Sequence, residues 1–205
     1  MRPVRFAPRS ADRSAVMVEF VIAAPLLVLL VFGLLEFGLA WRDSQTVATA
    51  ARSGARVGSN LGANPEADYN VLLSILAASE AVGVENINYV VIYNAADLDG
   101  EIPASCQNAT GFIPSAGNCN VYTTADLLAL SPSDFLLNVA DDDCKNDSLH
   151  RFWCPLSRTS VSQYDLKHFG VHVEITHEAT SGVFPIANLE ISDTAVMRIE
   201  PAGAS

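Results

Sequence analysis

A chain of 205 residues carrying a net charge of −11, with a pI near 4.6, is unsuited to binding nucleic acid or anionic lipid through its bulk charge. The mean hydropathy of +0.25 is inflated by a single apolar stretch near the N-terminus, so composition favours one anchored domain over a multi-span protein. The charge is also divided. Residues 1–58 hold seven arginines and four acids, a net +3, and with a total of −11 the remainder must carry −14.

Residues 1–14 form a basic leader, with Arg2, Arg5, Arg9 and Arg13 against Asp12. Residues 15–35, AVMVEFVIAAPLLVLLVFGLL, contain one charge, Glu19. As a helix they would extend roughly 31 Å, enough to cross a bilayer core. The run exceeds the ~7–15 residues of a signal-peptide core, and no small-x-small cleavage site closes it. The arginines ahead of the span predict a cytoplasmic N-terminus and an outward C-terminal part, in a single-pass protein of the cytoplasmic (inner) membrane. Glu19 needs an explanation, because an ionised carboxylate in hydrocarbon costs at least ~2.5 kcal/mol. It either reaches the headgroups or is paired.

The residues around Glu19 carry a resemblance. Arg13-Ser14-Ala15-Val16-Met17-Val18-Glu19-Phe20 resembles the processing site of type IV pilin-like proteins, with the cut between Ser14 and Ala15. With Pro25 inside the span, GLLEFG at its end and the Ala50–Arg56 run AARSGAR, the N-terminal part resembles the TadE-like family of tight-adherence (Flp) pseudopilins. The closing Met197-Arg198-Ile199-Glu200-Pro201 is similar to that family's ending. Ser14 stands where such sites usually have Gly. The resemblance implies a minor pilin or pseudopilin with a structural role in pilus assembly. Its partners would be other pilins, the pilus assembly machinery and a prepilin peptidase, and Glu19 and Phe20 would act in assembly. A cut before Ala15 would create an amine that Glu19 of a neighbouring subunit could neutralise.

Beyond the span, residues 36–58 are expected to continue the helix outside the membrane, and residues 59–205 to form an extracytoplasmic head. Val47, Ala50, Ala51, Gly54, Ala55 and Gly58 make a small-residue stripe, with Arg52 and Arg56 at i, i+4 on another face. The stripe reads first as a face packed on the chain's own head and second as a subunit-packing surface, and the two are compatible. Gly58–Ala63 reads as a turn, and Asn64-Pro65-Glu66 as a helix start, with Val71, Leu72, Ile75, Leu76 and Ser79 buried and Gly83 as the stop. INYVVIYN, Ile87–Asn94, reads as a strand buried on both faces.

Residues 95–166 form an irregular insertion, in which Thr124–Leu130 and Ser133–Val139 are the candidate helices. It holds Cys106, Cys119, Cys144 and Cys154, an even number on the exported side, as expected of disulfides. Local pairing, Cys106 with Cys119 and Cys144 with Cys154, is preferred among three connectivities. The rival, a zinc site, lacks any C-x-x-C spacing. Asp141-Asp142-Asp143 with Asn146 and Asp147 lacks calcium-loop spacing and reads as a solvated acidic loop. Gly170–Ala179 alternates as a strand with one apolar face, leaving His172 and Glu174 on an exposed polar face. Thr180–Ile186 turns the chain, and Leu189–Glu200 alternates again, predicting an antiparallel pair laid over the helices.

The expected fold is therefore α+β: a single transmembrane helix continuing outside the membrane, packed with a second helix and a small antiparallel sheet, with a disulfide-bearing insertion. No catalytic constellation, phosphate loop or metal motif appears in the sequence, so the chain reads as a non-enzyme without a cofactor. The alternative function is a non-polymerising single-pass envelope protein whose head binds a partner or ligand.

Overall fold

The computed structural model describes residues 10–95, 100–138, 143–158, 167–179 and 188–199, with side chains from Val16 onward. The apolar stretch and its extension form one uninterrupted helix, α1 (Ser10–Leu61), of 52 residues and about 78 Å. Pro25 lies inside it without ending it. The turn expected from Gly58 starts later, at Gly62, because Gly58 serves as a packing site within the helix. A Cβ there would lie 2.0 Å from the Phe169 ring.

Helix α2 (Ala67–Ala78) returns alongside α1. Asn64 does cap its approach, its Oδ1 accepting from the Glu66 amide at 2.9 Å, although regular helix begins only at Ala67. Gly83, at φ +88°, ends the turns that follow α2.

Eight strands are described: β1 (Ile87–Ala95), β2 (Gln107–Asn108), β3 (Gly111–Phe112), β4 (Cys119–Thr123), β5 (Leu137–Asn138), β6 (Asp143–Cys144), β7 (His168–His177) and β8 (Leu189–Arg198). The main sheet has the order β4-β1-β7-β8 and is antiparallel throughout. The β7–β8 pair is the one expected from the alternating pattern, with Val171 opposite Ala195 and Ile175 opposite Ile191. The intended turn at Thr180–Ile186 lies outside the described residues.

β1 sits inside the sheet and is covered on both sides, as its composition predicts. A register shift between Ile87 and Tyr89 puts Ile87 on the same face as Val90 and Ile92. That face packs with Phe169, Val171, Val173 and Ile175 of β7 against α1 and α2. Val91, Tyr93 and Ala95 form a smaller second core with Cys106 and Cys119.

Two expectations are corrected. The polar face of β7 is not exposed: His172 is buried, with its ring centroid 4.9 Å from that of Phe112 on the β2–β3 hairpin. Of the candidate helix Ser133–Val139, the described part, Ser133 to Asn138, is not helical beyond one 3-10 turn, and Val139 lies outside the described residues. Ser131 and Asp134 cap a short 3-10 turn at Pro132–Asp134, after which Leu137 and Asn138 pair with Cys144 and Asp143. The other candidate does form, as α3 (Thr124–Leu128), whose capping box joins Thr123 and Asp126.

Candidate membrane and assembly surface

α1 divides into two surfaces. From Val16 to Trp41 its large apolar side chains lie open all round the helix, including Leu26, Leu30 and Phe37, with Leu34 as much as 72% exposed. This is the one described helix long and apolar enough to cross a membrane, and it fits a single-pass membrane protein. Phe37 and Trp41 stack at its C-terminal end, ring centroids 6.4 Å apart, the kind of aromatic pair that suits a membrane–water interface.

Glu19 and Phe20 are exposed on this segment, and Glu19 has no partner among the described residues. The helix backbone runs through Ser14 and Ala15, but their side chains, like that of Arg13, lie outside the described set.

Past Trp41 the head closes on one side of the helix. Val47, Ala50, Ala51, Gly54, Ala55 and Gly58 are all buried against α2 and the sheet. The small-residue stripe is therefore used by the chain's own head, the first of the two readings that its sequence supports. A polar contact ties the head to the helix on both sides of Trp41. His177 Nδ1, at the end of β7, lies 2.6 Å from Asp43 Oδ2, while its Nε2 is 4.0 Å from Glu36 Oε2. The opposite side of the helix stays uncovered, presenting Gln45, Thr49, Arg52, Arg56 and Asn60.

The insertion is anchored by two devices. One is the pair of disulfides, Cys106–Cys119 and Cys144–Cys154, the local pairing expected. Closing loops of 13 and 10 residues contributes about 3 kcal/mol each on the chain-entropy estimate. His150 approaches Cys144 and Cys154 closely, but both sulfurs are already bonded to each other.

The other device is a buried polar network that the sequence reading missed. Asp68 of α2 is fully buried and ion-paired with the equally buried Arg158. The same carboxylate accepts from Tyr122 Oη at 2.6 Å and Asn120 Nδ2 at 2.9 Å. Asn120 also bonds the Trp153 backbone, and the Arg158 guanidinium lies 4.1 Å from the Trp153 ring. Burial alone would raise the Asp68 pKa, but Arg158 and the hydrogen bonds outweigh it and hold the carboxyl below its ordinary range. Tyr122 is pushed well up, by burial and then by Asp68. His150 is lowered by burial. A signal was present: Asp68 precedes Val71, Leu72 and Ile75 by three, four and seven residues, on the buried stripe of α2.

His172 and Glu174 do not form an acid/base pair. His172 bonds Thr194 Oγ1 at 2.9 Å and burial lowers its pKa to about 4, whereas Glu174 accepts from Asn88 and is raised by burial. Asp141 and Asp142 lie outside the described residues, while Asp143, Asn146 and Asp147 are exposed.

Comparison with known proteins converges on α1. Residues 15–56 match the TadE-like protein family. The chain's N-terminal segment is TadE-like. The match spans the open apolar half of α1, Glu19 included, and most of the half that the head covers. No curated protein and no solved structure matches the chain. At the family level the TadE-like segment points to proteins associated with the tight-adherence pilus.

Proposed function

We propose that this chain is a membrane-anchored minor pilin or pseudopilin of a tight-adherence (Flp-type) pilus or related secretion apparatus. Its role is structural and non-catalytic. The observation that carries the reading is the TadE-like match over a helix whose apolar half has no covering among the described residues. Such a half needs lipid, other helices, or both. The four arginines ahead of the span favour a cytoplasmic N-terminus, and disulfides on the far side suit an oxidising exterior.

Glu19 is the residue that separates this role from plain anchoring. If Ala15 becomes the mature N-terminus, Glu19 lies four residues in and can pair with a neighbour's amine, offsetting the cost of a carboxylate at the membrane edge. Glu19→Ala should insert normally yet fail to co-purify with pilus components. Normal incorporation of that variant would sink the assembly role of Glu19. The second reading, a non-polymerising envelope protein, is favoured by Ser14 in place of the usual Gly. N-terminal sequencing of the mature protein, finding Ala15 or Met1 first, separates the two.

A further inference from the structure

The Cys144–Cys154 disulfide has a third neighbour that the insertion's other disulfide lacks. A ring nitrogen of His150 and the two sulfurs lie within 4.8 Å of one another, and no second group of three His, Cys, Asp or Glu residues is so placed among the described residues. All three side chains come from one short segment, in the order Cys144, His150, Cys154.

His150 is fully buried and stacked on Phe135, and its Nε2 has no hydrogen-bond partner among the described residues. The other nitrogen fixes the tautomer. Ser148 Oγ gives its single proton to the Asp134 carbonyl at 3.1 Å and accepts from the Leu136 amide, so towards His150 Nδ1, also at 3.1 Å, it is again an acceptor. Nδ1 therefore carries the ring proton, and Nε2 keeps a buried, unused lone pair. A buried acceptor without a partner costs about 1–3 kcal/mol. Holding the ring through Nδ1–H is also how metal-binding histidines are oriented. Access exists on the Cys144 side, where Cys144 lines an open groove of about 460 Å³ with Asp143, Lys145, Asn146 and Asp147. The two carboxylates outnumber the lysine and draw cations towards the groove.

We propose that, once this disulfide is reduced, Cys144, His150 and Cys154 bind one Zn²⁺ ion. A dithiol reductant turns the disulfide into two thiols and is itself oxidised to a disulfide, after which Zn²⁺ displaces both thiol protons. Freed from each other, the sulfurs part to the roughly 3.8 Å that two zinc–sulfur bonds of about 2.3 Å require at a tetrahedral ion. Two thiolates and a neutral imidazole leave the ion without net charge, which suits a buried position. Water from the groove completes the fourth position. Thiolate and imidazole donors select zinc over calcium or magnesium. Disulfide and metal are then two staples for the same corner of the insertion, one for each redox state. The inference concerns the insertion alone and stands apart from the pilin reading.

The test uses the full-length protein in detergent, reduced with a phosphine so that no foreign thiol is added, with Co²⁺ and Zn²⁺ as probes. One Co²⁺ per chain should bind with a sulfur-to-cobalt charge-transfer band, and Zn²⁺ should displace it. Zn²⁺ should also slow alkylation of Cys144 and Cys154 by roughly tenfold or more, with the rates at Cys106 and Cys119 unchanged, as read by peptide mapping. H150Q keeps both cysteines and should weaken Co²⁺ binding by roughly 10–100-fold or more. The near-UV spectrum of the oxidised variant, matched to wild type, checks that its fold is kept. The alkylation pattern needs no variant, so it decides the matter even where H150Q misfolds. Co²⁺ bound without sulfur charge transfer, Zn²⁺ protection of all four cysteines alike or of none, or a folded H150Q that binds as tightly as wild type would each overturn the inference.

Discussion

The two halves of α1 belong to one unbroken helix yet face opposite demands. The lower half is built from Leu, Val, Phe and Ile and touches almost nothing of its own chain, whereas the upper half is built from Ala and Gly and is closely covered. The larger hydrophobic payload thus lies on the half that the described residues leave uncovered. Side-chain size explains the inversion. Small residues let α2 and the sheet approach the helix axis, while bulky ones would hold the head away. Apolarity in the lower half serves an environment outside the fold, and smallness in the upper half serves the fold itself.

The comparison breaks hardest if the upper half is uncovered from outside. Asp68→Ala would leave Arg158 buried without its counter-charge and remove an acceptor from Tyr122 and Asn120. A loss of about 3–5 kcal/mol is expected, enough to release the insertion from α2. Proteolysis of the head in membranes should show it, with insertion of α1 unchanged. The wild-type pair also sets an acid limit. Because the Asp68 carboxyl is held below its ordinary pKa, its contribution is present above the ordinary carboxylate value and disappears as pH falls through the lower folded value.

Gly58→Ala probes the covered half from within. The added Cβ would meet the Phe169 ring at 2.0 Å, and Phe169 is itself enclosed by Trp153, so the ring has little room to yield. Overpacking of this kind should cost about 1–3 kcal/mol. Thermal unfolding of the head would register it. An unchanged midpoint would mean that α1 and β7 can separate at no cost.

How much of this was legible follows from where polar side chains point. The span, α2 and the β7–β8 pair announced themselves because their polar residues fall largely out of phase with the apolar ones. β4 did not. Its CNVYT sequence turns Asn120 and Tyr122 inward, toward Asp68, so the polar residue that normally marks an exposed face marks a buried one. His172 misled in the same way, since Phe112 of a distant hairpin covers it. Arg158 offered no local pattern, because its partners are supplied by α2 and by the 120–153 region. For the candidate surface, Glu19 and the arginine pair were visible as residues. That the small stripe packs on the chain's own head was legible too, while which strands cover it required knowing where the sheet lies.

His172 sharpens the contrast through pH. Burial lowers its pKa to about 4 from an unfolded value near 6.5, so the unfolded chain binds the extra proton between those limits. Stability supplied by the neutral imidazole is whole above pH ~6.5 and is lost as pH falls toward 4, a change of roughly 2–3 kcal/mol. His150, lowered by burial in the same direction, adds to the slope. His172→Gln keeps a polar group facing Thr194 but removes the titration. Its unfolding free energy should fall less steeply between pH 6.5 and 4 than that of the wild type. Equal slopes would remove His172 from the account.

The smallest expected effect is the one that defines the lower half. Leu30 is 63% exposed, whereas Leu72 of α2 is fully enclosed. Both are leucines in helices of the same chain, so truncation removes the same atoms. Leu72→Ala should cost the head about 2–5 kcal/mol, from lost transfer energy and the cavity left behind. Leu30→Ala should change head stability by less than ~0.5 kcal/mol, because the side chain belongs to no core. Unfolding of the head in detergent, followed through the near-UV signal of Trp153, would give both values on one scale. A Leu30 effect approaching that of Leu72 would mean that the lower helix folds back on the head. If the difference holds, any loss of pilus incorporation in Leu30→Ala is a loss of contacts between the helix and its surroundings.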